Sequence, residues 1–286
     1  MSQRLTIKKT YKMFIGGKFV RSESCHSFKI LDQHGKLVAN ACRSTRKDVR
    51  DAVRSARGAV SWEKMAPYNR GQILYRLAEM MEGKKAEFTK ELSYHMSPAQ
   101  ATEEVENSIN RVIWYAGWAD KYVQISGTVN PVAPPYFSFS VPEPTGVVGI
   151  ICPDVAPLLA LITLVMPALV GGNTVVVVGS TIAANVVSVF SEAVATSDLP
   201  SGVLNILTGY RQEVIESLSG HMDVNALVLG IDESSKQIEE NGVENVKRIV
   251  KRWLTVEEWT KPELTEKPAF IDDTTEIKTL WHPIGL

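Results

Sequence analysis

Glu143-Pro144-Thr145-Gly146-Val147-Val148-Gly149-Ile150-Ile151, followed by Pro157, by Pro167-Ala168-Leu169 and by Gly171-Gly172-Asn173-Thr174-Val175-Val176, decides the fold. Gly146 to Ile151 is a short apolar run, Leu158 to Leu169 an apolar helical segment, and Thr174 to Val178 a second run dominated by valine. Downstream, Ile182 to Ala195 is amphipathic, and Val203–Leu207 and Leu227–Leu229 are further apolar strands. Near-continuous apolar strands separated by helices predict a parallel sheet covered on both faces. Val155 to Gly172 carries no charge over 18 residues, the lower edge of a spanning length. Pro157, Pro167 and Gly171-Gly172 interrupt it and a β-branched run follows at once, so it reads as a buried strand–helix–strand unit rather than a membrane span.

Upstream, Tyr11–Ile15 and Lys18–Val20 flank Gly16-Gly17, a hairpin signal. Residues 44–60 predict a helix capped by Ser44 or Thr45, with Val49, Val53, Ala56 and Val60 as its stripe. Residues 68–93 and 101–122 predict further helices, the second burying Val105, Ile109, Val112, Ile113 and Ala116. Gly127 and the prolines 131, 134, 135, 142 and 144 exclude helix over 123–145. There Phe137 and Phe139 alternate with Ser138 and Ser140, the period of a half-buried strand. This ribbon is either an oligomer contact or an ordinary surface hairpin. Beyond Asn241, Val246, Ile249, Val250 and Leu254 could line one last helix, and the tail 256–286 is charged yet rich in aromatics.

Composition narrows the function classes. The chain of 286 residues is 44% hydrophobic and 22% charged, enough for a large core. Its net charge of −1 gives no electrostatic footprint for nucleic acid. Residues 1–9 have no apolar leader segment, and Cys25, Cys42 and Cys152 are odd in number and widely spaced. Reduced thiols in the cytoplasm are the plain reading. The histidines show no metal-ligand spacing.

The opening stretch, together with Phe14-Ile15-Gly16-Gly17-Lys18-Phe19, Tyr115-Ala116-Gly117-Trp118-Ala119-Asp120-Lys121, Leu199 to Gly209 and His221-Met222-Asp223-Val224, resembles the cofactor half of aldehyde dehydrogenases in family order, over residues 11 to about 248. The resemblance implies an α/β fold: a Rossmann-like parallel sheet with N-terminal helices and a projecting oligomerisation β-hairpin. Residues 1–125 and 145–250 would form that domain, 126–144 the hairpin, and 251–286 a tail in place of the catalytic domain. It also implies where chemistry belongs. The family's Pro-Trp-Asn-Phe-Pro, whose asparagine helps hold an oxyanion, reads here Pro153-Asp154-Val155-Ala156-Pro157. Lys-Pro-Ser-Glu, which binds the adenine ribose, reads Val178-Gly179-Ser180-Thr181. Gly-Ser-Thr-x-x-Gly, facing the pyrophosphate, reads Gly230-Ile231-Asp232-Glu233-Ser234-Ser235, with acids where a phosphate cradle favours positive potential. The glutamate motif that activates water is missing after Val246, and the nucleophilic cysteine belongs to the later domain.

No catalytic residue is therefore assigned. Cys152, Pro153, Val155, Val178, Ser180, Gly209 and Gly230 mark a vestigial pocket. The expectation is a stand-alone, shortened copy, like the second half of two-part aldehyde dehydrogenases. It would serve as a structural or regulatory subunit, homo-oligomeric or joined to a full-length aldehyde dehydrogenase, without cofactor. One alternative is an NAD- or NADP-dependent oxidoreductase that borrows a partner's catalytic domain or uses Cys152. Another is a binding module whose contacts are Ser180, Thr208 and Asp232 in the crevice at the strand ends.

Overall fold

A computed structural model describes residues 7–284; the leader reading of residues 1–6 and the last two residues of the tail lie outside the described residues. The central sheet runs in the order Arg248–Lys251, Ala226–Leu229, Val147–Ile151, Thr174–Val178, Leu204–Leu207, Met13–Ile15, Lys18–Val20. The first five strands are parallel, and the N-terminal hairpin closes the edge antiparallel. Alternation along the valine strand assigns the two faces. Val175 and Val177 pack on the Pro157–Val170, Ala184–Ala195, Pro67–Gly83 and Pro98–Ala116 helices. Val176 and Val178 pack with the Arg46–Gly58 and Arg211–Ser219 helices. Each fully buried valine contributes about 1.5–3 kcal/mol of transfer free energy, so both faces must stay apolar.

The chain enters the Pro157–Val170 helix through Pro157 at its first turn, where a missing N–H costs nothing. All of that helix is buried, and among the described residues no helix is long and apolar enough to cross a membrane. Thr45 caps the Arg46–Gly58 helix by a reciprocal box with Asp48.

Several expectations are corrected. Residues 248–251 form the edge strand of the sheet instead of a helix, because Ile249 and Val250 alternate into its ladder with Leu227 and Val228. Tyr122–Ser126 is a short helix ahead of the proline-rich segment. Val60 and Ile113 are exposed, off the stripes they were placed on. In the ribbon, where the alternation assigned no inward face, Ser138 and Ser140 are buried and Phe137 is exposed. Asn130 donates to both serine hydroxyls and Ser140 also bonds Thr279, so a polar seam runs along the face that carries Ser138 and Ser140, while Phe137 projects from the other.

The hairpin of Thr128–Asn130 and Tyr136–Pro144 does not stand alone. Thr275–Pro283 pairs antiparallel with Tyr136–Pro144 along its full length, making a three-stranded sheet. The preceding tail packs on the helices. Trp259 is wholly buried, Tyr115 Oη donates to Thr265 O at 2.7 Å, and Arg111 pairs with Glu266 at 3.2 Å. Trp253 and Trp281 stay exposed.

Candidate functional site at the strand ends

Parallel pairing aligns Ile151 with Val178 and Leu229, and Val178 with Leu207. Cys152, Pro153, Val155, Val178, Ser180, Gly209 and Gly230 are thereby brought together at the carboxyl end of the sheet. The chain leaves Val147–Ile151 toward Thr174–Val178 on one side, while Ala226–Leu229 lies on the other. That reversal is where a doubly wound sheet opens a crevice.

A carboxylate of the chain itself sits across these ends. Asp154 Oδ1 accepts from Ser180 Oγ (2.7 Å) and from the backbone amides of Thr181 (2.8 Å) and Ile182 (3.3 Å). Its Oδ2 accepts from Arg211 Nη2 at 2.5 Å, and Arg211 Nη1 donates to Cys152 O at 3.2 Å. Burial would push the Asp154 carboxyl up, but the bonds from Arg211 and Ser180 outweigh it and hold it below the usual range. Thr181 Oγ1 ties the same loop to Gly209 O at 3.0 Å. Three strand-end loops are thus cross-linked through one ion pair.

The expected contacts fare unevenly. Val178 is buried in the sheet, while Val155 is exposed at the lip. Ser180 is spent on Asp154. Thr208 donates to Cys42 O at 2.7 Å, so it is not a free crevice contact. Gly209 and Gly230 have packing reasons for being glycine. Gly209 has φ +140° and a Cβ there would lie 2.9 Å from Ser44 N; a Cβ on Gly230 would lie 2.6 Å from Pro153 Cδ. Asp232 and Glu233 face solvent ahead of the Ser235–Gly242 helix. Burial pushes the Cys152 thiol far up, with the Arg211 charge opposing only weakly.

Asp154 and Arg211 were not foreseen as a pair, lying 57 residues apart in the sequence. The available signal was the acid itself: an aspartate in an otherwise apolar strand-end loop requires a counter-charge. Glu104 was also missed. It lies on the buried stripe of the Pro98–Ala116 helix, and its Oε1 accepts from the amides of Leu158 (2.8 Å) and Leu159 (3.2 Å), the open N-terminus of the Pro157–Val170 helix. Burial raises its pKa to about 7, against the two amide bonds. An acid spaced with Ala101, Val105 and Ser108 was the legible sign.

Comparison with known proteins places this geometry. The aldehyde dehydrogenase family model matches residues 19–252. A putative aldehyde dehydrogenase, DhaS of Bacillus subtilis, is 31% identical over 248 residues, covering 84% of this chain and 50% of that protein. Mouse cytosolic 10-formyltetrahydrofolate dehydrogenase is 30% identical over 266 residues, covering 86% and 28%. Among solved structures, PnpE from Pseudomonas sp. WBC-3 superposes with TM-score 0.81 at 27% identity, over 85% of this chain and 50% of that one. An NAD+ complex of an aldehyde dehydrogenase from Bacillus cereus gives 0.80 at 24% identity, over 85% and 50%. The chain spans half or less of the length of these relatives.

Proposed function

The chain belongs to the aldehyde dehydrogenase family, and from that premise we propose that it is a non-catalytic member, a structural or regulatory subunit acting through its surfaces. The observation that carries this reading is the Asp154–Arg211 pair across the strand ends. A dinucleotide in the crevice would compete for the donors at the strand ends, the Ser180 hydroxyl and the backbone amides beside it. Asp154 already takes the Ser180 hydroxyl and the amides of Thr181 and Ile182. A pyrophosphate at the start of the Ser235–Gly242 helix would meet exposed Asp232 and Glu233. Each would repel it by about 1 kcal/mol at ~4 Å in water, and by more where solvent is excluded. NAD and NADP do not fit these residues.

Cys152 offers no substitute nucleophile. It is fully buried with a raised pKa, and only the thiolate attacks. Val155, where the family holds an oxyanion with asparagine, has no donor.

The surface that remains is the three-stranded ribbon. Tyr136 and Phe137 on one strand and Trp281 on its neighbour are exposed, and Tyr136 meets Trp281 edge-on at 5.9 Å. Exposed aromatics over a polar seam favour association with a second copy or a full-length aldehyde dehydrogenase. Three free cysteines are in keeping with the cytoplasm.

The test is calorimetry of the folded chain with NAD and with NADP at millimolar concentration. No saturable heat supports the reading; saturable binding of either overturns it.

A further inference from the structure

The outer strand of the ribbon, Thr275–Pro283, is an open sheet edge. It pairs with Tyr136–Pro144 on one side, and among the described residues no strand lies on its other side. The strand is nine residues long and its register runs one to one without a bulge. Every other edge strand among the described residues is shorter.

Ile284 N donates to Pro135 O, which fixes the phase of the ladder. With a period of two, residues 276, 278, 280 and 282 bond inward to Tyr136–Pro144. The amides and carbonyls of Ile277, Thr279 and Trp281 then point outward. The prolines agree with this phase: Pro142 and Pro144, which have no N–H, stand opposite Ile277 and Thr275. Thr275 O is taken by Arg248, so the open stretch begins at Ile277. Sheet edges are ordinarily blunted by charge, by proline or by a bulge. Here Lys278 Nζ donates to Glu143 Oε1 at 2.9 Å, which draws its charge back over its own sheet. Ile277 and Trp281, beside the open amides, are 60% and 61% exposed.

We propose that this edge pairs antiparallel with the same edge of a second copy of the chain, about a two-fold axis through Thr279. Two three-stranded ribbons then join into one continuous sheet. The register follows from the sequence. With Thr279 opposite its counterpart, Ile277 faces Trp281 on both sides of the axis, and Glu276 faces His282. A β-branched side chain on an aromatic ring and an acid on an imidazole are favourable cross-strand pairs. Outward groups must meet outward groups, so the neighbouring registers centre on Lys278 or on Leu280. The first sets two lysines face to face. The second sets Lys278 against His282 and places Pro283, which has no N–H to give, in the ladder opposite Ile277. The inference rests on the reading of the ribbon as an association surface, and it names a second copy as the occupant of its edge.

The experiment is sedimentation velocity of the full chain, with cysteine cross-linking in a Cys25→Ser background, because Cys25 is exposed while Cys42 and Cys152 are buried. Opposed Cα atoms in a bonded antiparallel pair lie about 5.5 Å apart, within disulfide reach. Thr279→Cys should oxidise to a covalent dimer. Lys278→Cys and Leu280→Cys should not, since each faces the other position rather than its own counterpart. Ile277→Pro removes an outward amide and should shift the wild-type dimer to monomer with an unchanged circular dichroism spectrum; if it misfolds, cross-linking decides alone. A monomeric wild type, or preferential cross-linking through Lys278→Cys or Leu280→Cys, overturns the proposal. An associating wild type in which Thr279→Cys stays uncrosslinked also overturns it, while leaving the faces of the ribbon as the association surface. Binding of NAD bears on the non-catalytic reading alone.

Discussion

Arg211 reaches across the ends of three parallel strands to the Asp154 carboxylate at 2.5 Å, and Asp154 in turn holds the amides of Thr181 and Ile182. The pair closes from within the crevice that this sheet topology opens. Its side chains are only 10% and 26% exposed, so its loss should be felt in stability as well as in binding.

Arg211→Met leaves Asp154 uncompensated and should cost about 1–3 kcal/mol. That is below the range for a fully buried pair, because Asp154 retains solvent. Urea denaturation measures it. The pH dependence follows from the lowered Asp154 pKa. Its contribution is present above the unfolded carboxyl value near 3.9 and is lost as pH falls through the lower folded value. The stability gap between wild type and Asp154→Asn should therefore close in acid. A constant gap from pH 7 to pH 2 would contradict the assignment.

Glu104 behaves in the opposite sense. Its folded pKa of about 7 exceeds the unfolded value, so the folded state binds the extra proton. Stability is full below about pH 4.5 and falls as pH rises toward 7, by up to about 3 kcal/mol. Glu104→Gln keeps the helix cap and should flatten that slope. Denaturation midpoints at pH 5 and pH 8 in both proteins check it; equal slopes refute it.

Gly230→Ala would press a methyl against Pro153 Cδ, Leu164 Cδ1 and the Ile151 carbonyl. Overpacking of this kind should cost about 1–3 kcal/mol in thermal or chemical melts. A neutral result would mean that the glycine is there for some reason other than packing.

Phe137→Asp and Trp281→Asp place charge at exposed positions on the two opposite faces of the ribbon, Trp281 lying opposite Ser138 in the strand register. The double variant should elute as a smaller species than wild type, with an unchanged circular dichroism spectrum. Coincident elution would remove the ribbon as the association surface. Deleting residues 126–144 is a poorer test, since it would orphan strand Thr275–Pro283.

Cys152 should resist iodoacetamide at pH 8 in the native chain, while exposed Cys25 is alkylated. Peptide mass spectrometry before and after unfolding distinguishes them, and rapid native labelling of Cys152 would contradict its burial.

The parallel sheet was legible because Val147–Ile151 and Thr174–Val178 are buried on both faces and carry almost no polar residue. The edge strand Arg248–Lys251 was not, because a half-covered strand of four residues contains Ile249 and Val250 at spacings that also suit a helix. Alternation in the ribbon gave the strand but not its polarity. Ser138 turns inward because Asn130 satisfies it, a contact that periodicity does not encode. The third ribbon strand and the Asp154–Arg211 pair both depend on partners far apart in sequence, 139 residues in the case of Ser140 and Thr279. Glu104 likewise acquires its role only when the helix amides of Leu158 and Leu159 arrive beside it.

The central claim is that the donors at the strand ends are already satisfied from within. Amide-resolved NMR of the chain, titrated with NAD to millimolar concentration, tests it most directly. The account predicts that the Thr181 and Ile182 amides are protected from hydrogen exchange and do not shift on titration. Rapid exchange at those two amides, with saturable shifts as NAD is added, would contradict it.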